Sequence, residues 1–322
     1  MCGVKPTGGS NPSLSAIRPA GLPPPTTYSS LPDPDTIHLL RLSGGEVGLR
    51  SVFKDGDGSP RFVLPLPENE IESDPGLSYL VINECRGGCE YQTRRFFDAH
   101  LEPDDLFIDV GAHWGLFTLT AASCHPGKVA VLAIEADPHN TDRLRRSIAH
   151  NQLTGQVEVL PCAVGAKAGT ANLVGGLGTM GHSLEGAAYT TDLQPPTTPP
   201  SHVVPVQTLD QILADRPALA DKRVFLKVDV EGSEVDVLEG ARALLASGRV
   251  AAMVIEKGKT YQADPALSAF GAMLDRVRAQ GFQCFHFKGH QQPGPLLPYE
   301  LSNQDCDVVC LSSRLKPLPH YE

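Results

Sequence analysis

The sequence predicts an α/β protein built on an open, mostly parallel sheet with helices on both faces. Residues 106–110 are an apolar run that breaks at a glycine turn and continues as an apolar helical stretch, 116–122. A second apolar run, 129–135, ends in an acid just before a helix start, and a third strand-to-helix pattern covers 224–245. Buried strands that alternate with helical patterns indicate βαβ units and a parallel sheet.

The first turn reads Phe107-Ile-Asp-Val-Gly-Ala-His-Trp-Gly115 and predicts a ligand site. A glycine turn between a strand and a helix start exposes backbone N–H groups to a ligand. A dinucleotide fingerprint starting at Gly111 requires glycines at 113 and 116, where the chain has His113 and Leu116. The pattern therefore disfavours a dinucleotide, while an ordinary glycine turn without a ligand stays open as an alternative.

The second strand predicts a ribose contact. Glu135 at its end could accept hydrogen bonds from both ribose hydroxyls, although a solvated strand end is the alternative. Asp137-Pro138 then starts a helix. A third strand is predicted over 157–164, with Cys162 and Ala163 near its end.

The third pattern concentrates charged residues at the carboxyl end of a predicted strand, the edge where open α/β sheets bind ligands. Glu234 would suit the first turn of a helix that begins there, because the helix dipole favours an acid. That alternative does not account for Lys227 and Asp229, which are embedded in an apolar strand. We therefore expect a functional site around Asp229 and Glu231.

The rest of the chain completes the predicted architecture. Strands are expected over 252–256, 283–287 and 307–311, with a helix over 265–280, which gives seven strands and an antiparallel last strand. The predicted organisation has four parts: a flexible tail rich in Pro and Gly over 1–36, an N-terminal cap of a hairpin plus a helix over 37–100, a main domain over 101–322, and a flexible loop within it over 175–205.

Composition excludes several classes of function. The formal net charge of −10 argues against a nucleic-acid partner held through its phosphates. No run reaches membrane-spanning length, and no secretory signal is visible, so we expect a cytoplasmic protein without membrane insertion. The eight cysteines lack zinc-site spacing, so no metal-binding residues are assigned from them. The oligomeric state is left open.

Five segments together resemble one family. They are Asp109-Val-Gly-Ala-His-Trp-Gly115, Glu135-Ala-Asp-Pro138, Val206-Gln-Thr-Leu-Asp210, Leu226-Lys-Val-Asp-Val-Glu-Gly-Ser-Glu234 and Val254-Ile-Glu256. Their order is that of the FkbM methyltransferases, and the resemblance covers residues 90–290. It implies a Rossmann-like class I methyltransferase fold, S-adenosylmethionine as cofactor, and O-methylation of a hydroxyl of a sugar, a glycan or a related secondary metabolite. The family usually has Asn where this chain has His113.

The resemblance and the patterns together assign the site. The expected cofactor-binding residues are Asp109, Gly111, His113, Gly115, Glu135, Ala136, Cys162, Ala163 and Asp229. The expected catalytic base is Asp229, with Glu231 second and Glu256 or His182 as substitutes.

Three alternatives stay open at this point. One is a divalent ion held by the three acids Asp229, Glu231 and Glu256, since hard cations take carboxylate oxygens. The second is a nicotinamide-dependent oxidoreductase, and the third is a non-catalytic module that binds S-adenosylmethionine.

Overall fold

A computed structural model of the chain describes residues 39–71, 73–85, 87–175, 181–185, 201–288 and 295–313. The predicted tail over 1–36 and much of the predicted loop over 175–205 lie outside the described residues.

The N-terminal region has more regular structure than the predicted hairpin plus helix. Three antiparallel strands and two helices follow one another there: β1 (Leu39–Arg41), β2 (Glu46–Arg50), β3 (Val63–Pro67), α1 (Pro75–Cys85) and α2 (Tyr91–His100). Strand β3 contains two prolines, which mask a strand pattern because proline cannot donate to a ladder. Helix α2 matches the predicted helix.

The remaining elements alternate as predicted. In chain order they are β4 (Leu106–Val110), α3 (Leu116–Cys124), β5 (Ala130–Ile134), α4 (Pro138–His150), β6 (Val157–Leu160), β7 (Ala163–Val164), β8 (Gly169–Val174), β9 (Ser183–Leu184), β10 (Ser201–Gln207), α5 (Leu209–Ala214), β11 (Val224–Val228), α6 (Glu234–Glu239), α7 (Arg242–Ala246), β12 (Val250–Lys257), α8 (Ala266–Ala279), β13 (Phe282–Phe287), β14 (Leu296–Pro298) and β15 (Cys306–Ser312).

The main sheet has the order β6-β5-β4-β11-β12-β15-β13, with β14 as an additional edge strand beside β13. Strands β4, β5, β6, β11 and β12 pair in parallel, whereas β15 runs antiparallel to both of its neighbours. This confirms the predicted mostly parallel sheet with an antiparallel last strand. The strand order reverses between β4 and β11, and such a switch point is where open α/β sheets form ligand clefts.

The helices cover both faces of this sheet, as predicted. Along β4, Leu106 and Ile108 face a layer that includes α5 to α8, whereas Phe107 faces a layer that includes α2, α3 and α4. Phe97 of α2 packs edge-on against Phe107, with ring centroids 4.8 Å apart. The N-terminal region therefore shares the core of the main sheet, and the predicted domain boundary at residue 100 stays a prediction.

Two predicted strand and loop assignments are wrong. The strand predicted over 157–164 is two strands, because Pro161 interrupts the ladder; β6 joins the main sheet, while β7 joins a second sheet of order β7-β10-β8-β9. The loop predicted over 175–205 includes β9 and the beginning of β10, so residues 201–205 are strand. Strand β14 lies between the predicted strands over 283–287 and 307–311 and was not predicted.

The single helix expected over 235–245 is also wrong, because it is divided into α6 and α7 at Gly240. A side chain at Gly240 would place its Cβ 2.1 Å from the carbonyl oxygen of Gly165. The backbone at Gly240 therefore passes so close to the backbone at Gly165 that only glycine fits there. Asp210 caps the second helix by accepting hydrogen bonds from the backbone N–H groups of Ala243 and Leu244, at 2.8 and 2.9 Å.

Candidate active site

A cavity lies at the carboxyl ends of the strands on either side of the switch point. Its wall includes most of the residues predicted for the site: Gly111, His113, Glu135, Ala136, Cys162, Ala163, His182, Asp229 and Glu231. Asp109, Gly115 and Glu256 were also predicted, but they are not part of this wall. The motifs that are far apart in the sequence therefore converge on one cavity.

Gly111 is the point where the two main motifs touch. Its φ is +85°, and a Cβ added there would lie 1.8 Å from the backbone oxygen of Asp229. The turn after β4 thus crosses the end of β11 at a distance that only glycine permits.

Gly115 has a packing role. Its φ is +95°, and an added Cβ would lie 2.6 Å from Cδ1 of Leu144. It therefore brings the beginning of α3 against α4 behind the cavity. Gly115 is not part of the cavity wall, so its predicted contact with a cofactor stays a prediction.

His113 continues the turn in the left-handed backbone region, with φ +50°. Its backbone N–H donates a hydrogen bond of 2.7 Å to Oε2 of Glu135, and its ring stacks on Trp114. Asn and His are both enriched in this backbone region. The histidine is therefore compatible with the conformation that the family's usual Asn would adopt.

Glu135 is held by the backbone on both of its oxygens. Besides the bond from His113, its Oε1 accepts a hydrogen bond of 2.8 Å from the backbone N–H of Asp137. Burial raises the pKa of Glu135 to about 7, against the opposing effect of these two bonds. Each carboxylate oxygen can accept a second hydrogen bond, so the side chain can also bind two hydroxyl donors in the cavity.

Asp109 lies behind the cavity wall and is 1% exposed. Its Oδ2 accepts a hydrogen bond of 2.7 Å from the Thr118 hydroxyl, while its Oδ1 is buried without a hydrogen-bond partner among the described residues. Burial raises the pKa of Asp109, and the Lys227 ammonium opposes this shift. An orphaned buried oxygen beside a cavity is costly unless a ligand or water satisfies it.

Lys227 and Asp229 form an ion pair at the end of β11. The Nζ of Lys227 lies 2.6 Å from Oδ2 of Asp229 and 4.3 Å from the centroid of the Phe117 ring. Burial alone would raise the pKa of Asp229, but Lys227 and a hydrogen bond from Glu256 outweigh it and lower the pKa. The Asp229 charge, together with burial, raises the pKa of Glu256 well above its usual range, so Glu256 is the protonated donor of that bond.

Glu231 follows in a turn with left-handed backbone, φ +54°. Burial raises its pKa to about 8, and the charges of Asp229 and Glu234 add to the shift. Glu234 holds the turn by accepting hydrogen bonds from the backbone N–H groups of Val230 and Gly232, at 3.0 and 3.1 Å. Glu231 is therefore a fixed carboxyl group that titrates near neutral pH.

The carboxylate oxygens of Asp229, Glu231 and Glu256 lie within 4.8 Å of one another, close enough for one hard cation. In this structure Asp229 already pairs with the Lys227 ammonium and accepts a hydrogen bond from Glu256. That none of these three acids is a metal ligand stays a prediction.

The N-terminal region adds residues to the cavity that no sequence pattern indicated. Glu90 and Tyr79 are both part of its wall.

Asn140 accepts a hydrogen bond of 2.8 Å from Nε1 of Trp114. The guanidinium of Arg143 lies 4.5 Å from the centroid of the Trp114 ring, and this side chain is buried.

The strand order, the ligand cleft at the switch point and the acids at the ends of β5 and β11 define a class I methyltransferase. The chain matches the model of the FkbM methyltransferase domain over residues 109–284, more than half of its length, and it belongs to that family. The predicted family and fold class are thereby confirmed.

Relatives are similar over part of the chain. The methyltransferase sdnD of Sordaria araneosa is 28% identical over 53% of this chain and 74% of its own length. The 31-O-demethyl-FK506 methyltransferase FkbM of Streptomyces tacrolimicus is 33% identical over 44% of this chain and 60% of its own length. A crystal structure of methyltransferase FkbM from Methylobacillus flagellatus aligns with a TM-score of 0.43 and 16% identity, covering 76% of this chain and 55% of that one.

In the described ranges, no helix combines the length and the apolar character needed to cross a membrane.

Proposed function

We propose that this methyltransferase uses S-adenosylmethionine to O-methylate a hydroxyl of a sugar, a glycan or a related secondary metabolite. The observation that carries the proposal is the convergence of Gly111, Glu135 and the Asp229 group on one cavity. The name of the Streptomyces tacrolimicus relative describes methylation of an oxygen of FK506, which supports an oxygen acceptor. Membership of the FkbM family makes a nicotinamide-dependent oxidoreductase, or a module without turnover, the less favoured interpretation.

The residues present fit S-adenosylmethionine. Glu135 offers oxygens for a ribose diol, and Cys162 and Ala163 offer a small apolar surface for an adenine ring. The orphaned Oδ1 of Asp109 marks the place for a donor, or a bridging water, at the amino-acid end. When bound, the cofactor supplies an electrophilic methyl group on a sulfonium centre.

The side chains at the end of β11 would orient the acceptor and take its proton. Much of the acceleration of an in-line displacement can come from alignment of the reacting atoms, which rigid walls provide. Asp229 was predicted as the base, but its ion pair with Lys227 and its lowered pKa make it a weak proton acceptor. We infer that Glu231, whose pKa is about 8, takes the proton while Asp229 and Lys227 hold its surroundings.

Calorimetry with S-adenosylhomocysteine and a labelled methyl-transfer assay test this proposal. We expect the wild-type protein to bind S-adenosylhomocysteine, and Glu231→Gln to bind it equally well. The same variant should lower kcat by roughly 10²- to 10⁴-fold, the range of a general base, and flatten the rise of kcat with pH. Glu102→Gln, which changes an exposed acid paired with Arg223, is the matched control and should leave all three unchanged.

If the protein does not bind S-adenosylhomocysteine, the proposed cofactor is wrong, and the proposed function is wrong with it. If Glu231→Gln turns over normally while a folded Asp229→Asn does not, Asp229 is the base as first predicted. A cytoplasmic location and the absence of a nucleic-acid partner stay predictions from composition.

A further inference from the structure

Glu90 is a carboxyl group in the cavity wall that lies outside the segment matched by the family model. It precedes helix α2 and has left-handed backbone, with φ +48° and ψ +38°. Its side chain does not cap that helix, and the Lys227 ammonium acts on it electrostatically. Left-handed backbone at a residue other than glycine costs free energy, and such residues cluster at ligand sites, so an acid held this way in a cavity wall is a candidate for a hydrogen bond to a ligand.

A buried ion pair holds Glu90 in this conformation. Arg94 and Glu84 pair at 2.6 Å with side chains that are 0% and 1% exposed. Between them they bind both backbone groups of Cys89: its N–H donates to Oε2 of Glu84 at 2.9 Å, and its carbonyl accepts from Nη1 of Arg94 at 3.1 Å. Because both backbone groups of Cys89 are fixed, and the backbone N–H of Arg94 donates to the carbonyl of Glu90, the backbone that carries the Glu90 side chain is held in place.

Glu90 lies in the half of the cavity away from the ribose-binding acid. The charged groups that act on it electrostatically are Lys227 and Asp229 at the end of β11, Asp307 on β15 and Arg94 of α2. These strands are on the opposite side of β4 from β5, where Glu135 lies. The hydroxyl of Thr93 in α2 donates a hydrogen bond to Asp307, which attaches the beginning of this helix to β15.

This half, which we name the acceptor half, has more acidic than basic groups. Its wall carries three carboxyl groups, Glu90, Asp229 and Glu231. Glu256 and Asp307 act on them electrostatically from outside the wall. Among the described residues of the wall, Lys227 is the one Lys or Arg, and it is paired with Asp229. His113 and His182 are the other titratable groups of basic type there. Because Glu256 is protonated and Lys227 pairs with Asp229, the repulsion of an anionic acceptor comes mainly from the ionised share of Glu90. An anionic group beside that carboxylate is therefore disfavoured.

We propose that Glu90 is an acceptor-binding residue, whose carboxylate accepts a hydrogen bond from a hydroxyl of a sugar-like acceptor that carries no anionic group. This inference rests on the proposed function and deepens it. Glu90 would select the acceptor while Glu231 takes the proton. Burial raises the pKa of Glu90 to about 7, so a substantial share of the group is ionised at neutral pH.

Three matched probes test the inference: methyl glucoside, methyl glucosaminide and methyl glucuronide. Their binding to protein saturated with S-adenosylhomocysteine is measured by ligand-detected NMR, and methyl transfer to each is followed with labelled donor. We expect the wild-type protein to bind the neutral and amino sugars at least about tenfold more tightly than the glucuronide, a difference of about 1.4 kcal/mol. The reason is that the glucuronide carboxylate would lie beside the Glu90 carboxylate.

Glu90→Gln should weaken the binding of the neutral sugar by about 10- to 100-fold, as expected for the loss of a hydrogen bond to a charged group. It should also reduce the difference in affinity between the neutral sugar and the glucuronide. Its effect should fall on the acceptor KM, with kcat and the affinity for S-adenosylhomocysteine unchanged. Glu90→Asp keeps the charge and should retain the discrimination, which also covers a failure of Glu90→Gln to fold. Glu46→Gln, an acid of the same region that pairs with Arg146 away from the cavity, is the control.

Equal binding of glucuronide and glucoside, or no binding of any probe, would overturn the inference. So would a Glu90→Gln variant that loses affinity for S-adenosylhomocysteine and keeps affinity for the sugars, because Glu90 would then belong to the cofactor half. If wild-type protein fails to bind S-adenosylhomocysteine at all, the proposed function is wrong, which is a separate result.

Discussion

Left-handed backbone is concentrated at the cavity. Of the five non-glycine residues with positive φ in the described part of the chain, three are in its wall: Glu90, His113 and Glu231. Each such residue costs free energy and persists only where its surroundings enforce it. The position of these three side chains is therefore set by backbone turns that the rest of the fold holds in place.

Gly111→Ala should disrupt both motifs at once. The new Cβ would lie 1.8 Å from the Asp229 carbonyl, so the turn after β4 must move away from β11. Backbone strain alone costs about 1–3 kcal/mol, and the clash adds to this. We expect lower stability in urea unfolding and loss of S-adenosylhomocysteine binding in calorimetry.

Gly127→Ala is the matched control for that substitution. Gly127 has φ +73°, yet a Cβ there would meet nothing within 4 Å, so the control carries the backbone strain without the clash. The control variant should lose only the stability that the backbone strain costs, and it should bind S-adenosylhomocysteine normally. Equal losses in the two variants would show that the contact with Asp229 is unimportant.

Part of the candidate site was predictable from residue patterns. Gly111, Glu135 and Asp229 each end an apolar run, so their position at the edge of the sheet follows from local sequence. Glu90 carried no such signal, because its place in the cavity depends on a left-handed turn and on packing against a distant strand. The preference for Glu231 over Asp229 likewise depends on Lys227 and Glu256 being in reach, which only the folded chain shows.

Among the elements, the Glu84–Arg94 ion pair connects three separate parts of the N-terminal region to helix α3 of the main domain. Glu84 belongs to α1 and Arg94 to α2, and Nε of Arg94 donates a hydrogen bond of 3.0 Å to the hydroxyl of Thr120 in α3. The guanidinium also lies 4.9 Å from the centroid of the Phe53 ring. Removal of one partner from such a buried pair leaves an uncompensated charge.

Arg94→Met should therefore lower the free energy of unfolding by about 3–5 kcal/mol, measured in urea. Where the variant folds at low temperature, acceptor binding should weaken, since Cys89 and Glu90 lose their fixed geometry. Arg145→Met removes an exposed pair with Asp142 and should cost at most about 1 kcal/mol. A loss for Arg94→Met no larger than this control would mean that the ion pair does not hold the region together.

The elements that local sequence predicted well are those with uninterrupted apolar runs. Strand β4 begins and ends at the predicted residues, because every position in it is buried. The wrong assignments arose where one residue breaks a run for a tertiary reason. Pro161 separates β6 from β7 and sends the chain to another sheet, and Gly240 divides a helix because the backbone of Gly165 passes close by.

At the scale of the whole molecule, the fold gathers acids from three regions of the chain into the wall of one cavity: Glu90, Glu135, and Asp229 with Glu231. Burial raises the pKa of Glu90 and Glu135 to about 7 and that of Glu231 to about 8, from a usual value of 4.5. A carboxyl group whose pKa is raised on folding favours the folded state while it is protonated. Its contribution is fully present below pH 4.5 and is lost as the pH rises through the pKa in the folded protein.

The free energy of unfolding of the ligand-free protein should consequently fall between about pH 4.5 and 8, by up to about 1.4 kcal/mol per pH unit for each group. Glu231→Gln replaces the titrating group with a neutral one, so the variant should gain stability relative to wild type as the pH rises through this window. Urea unfolding at half-unit pH intervals measures the difference. Glu158→Gln is the control of opposite sign, because the hydrogen bond from Arg216 lowers the pKa of Glu158. The Glu158→Gln variant should be less stable than wild type, by a constant amount above pH 4.5 and by a smaller amount as the pH falls below it. A Glu231→Gln difference that is flat, or that declines with pH, would mean that Glu231 is not the strained acid that the proposed proton transfer requires.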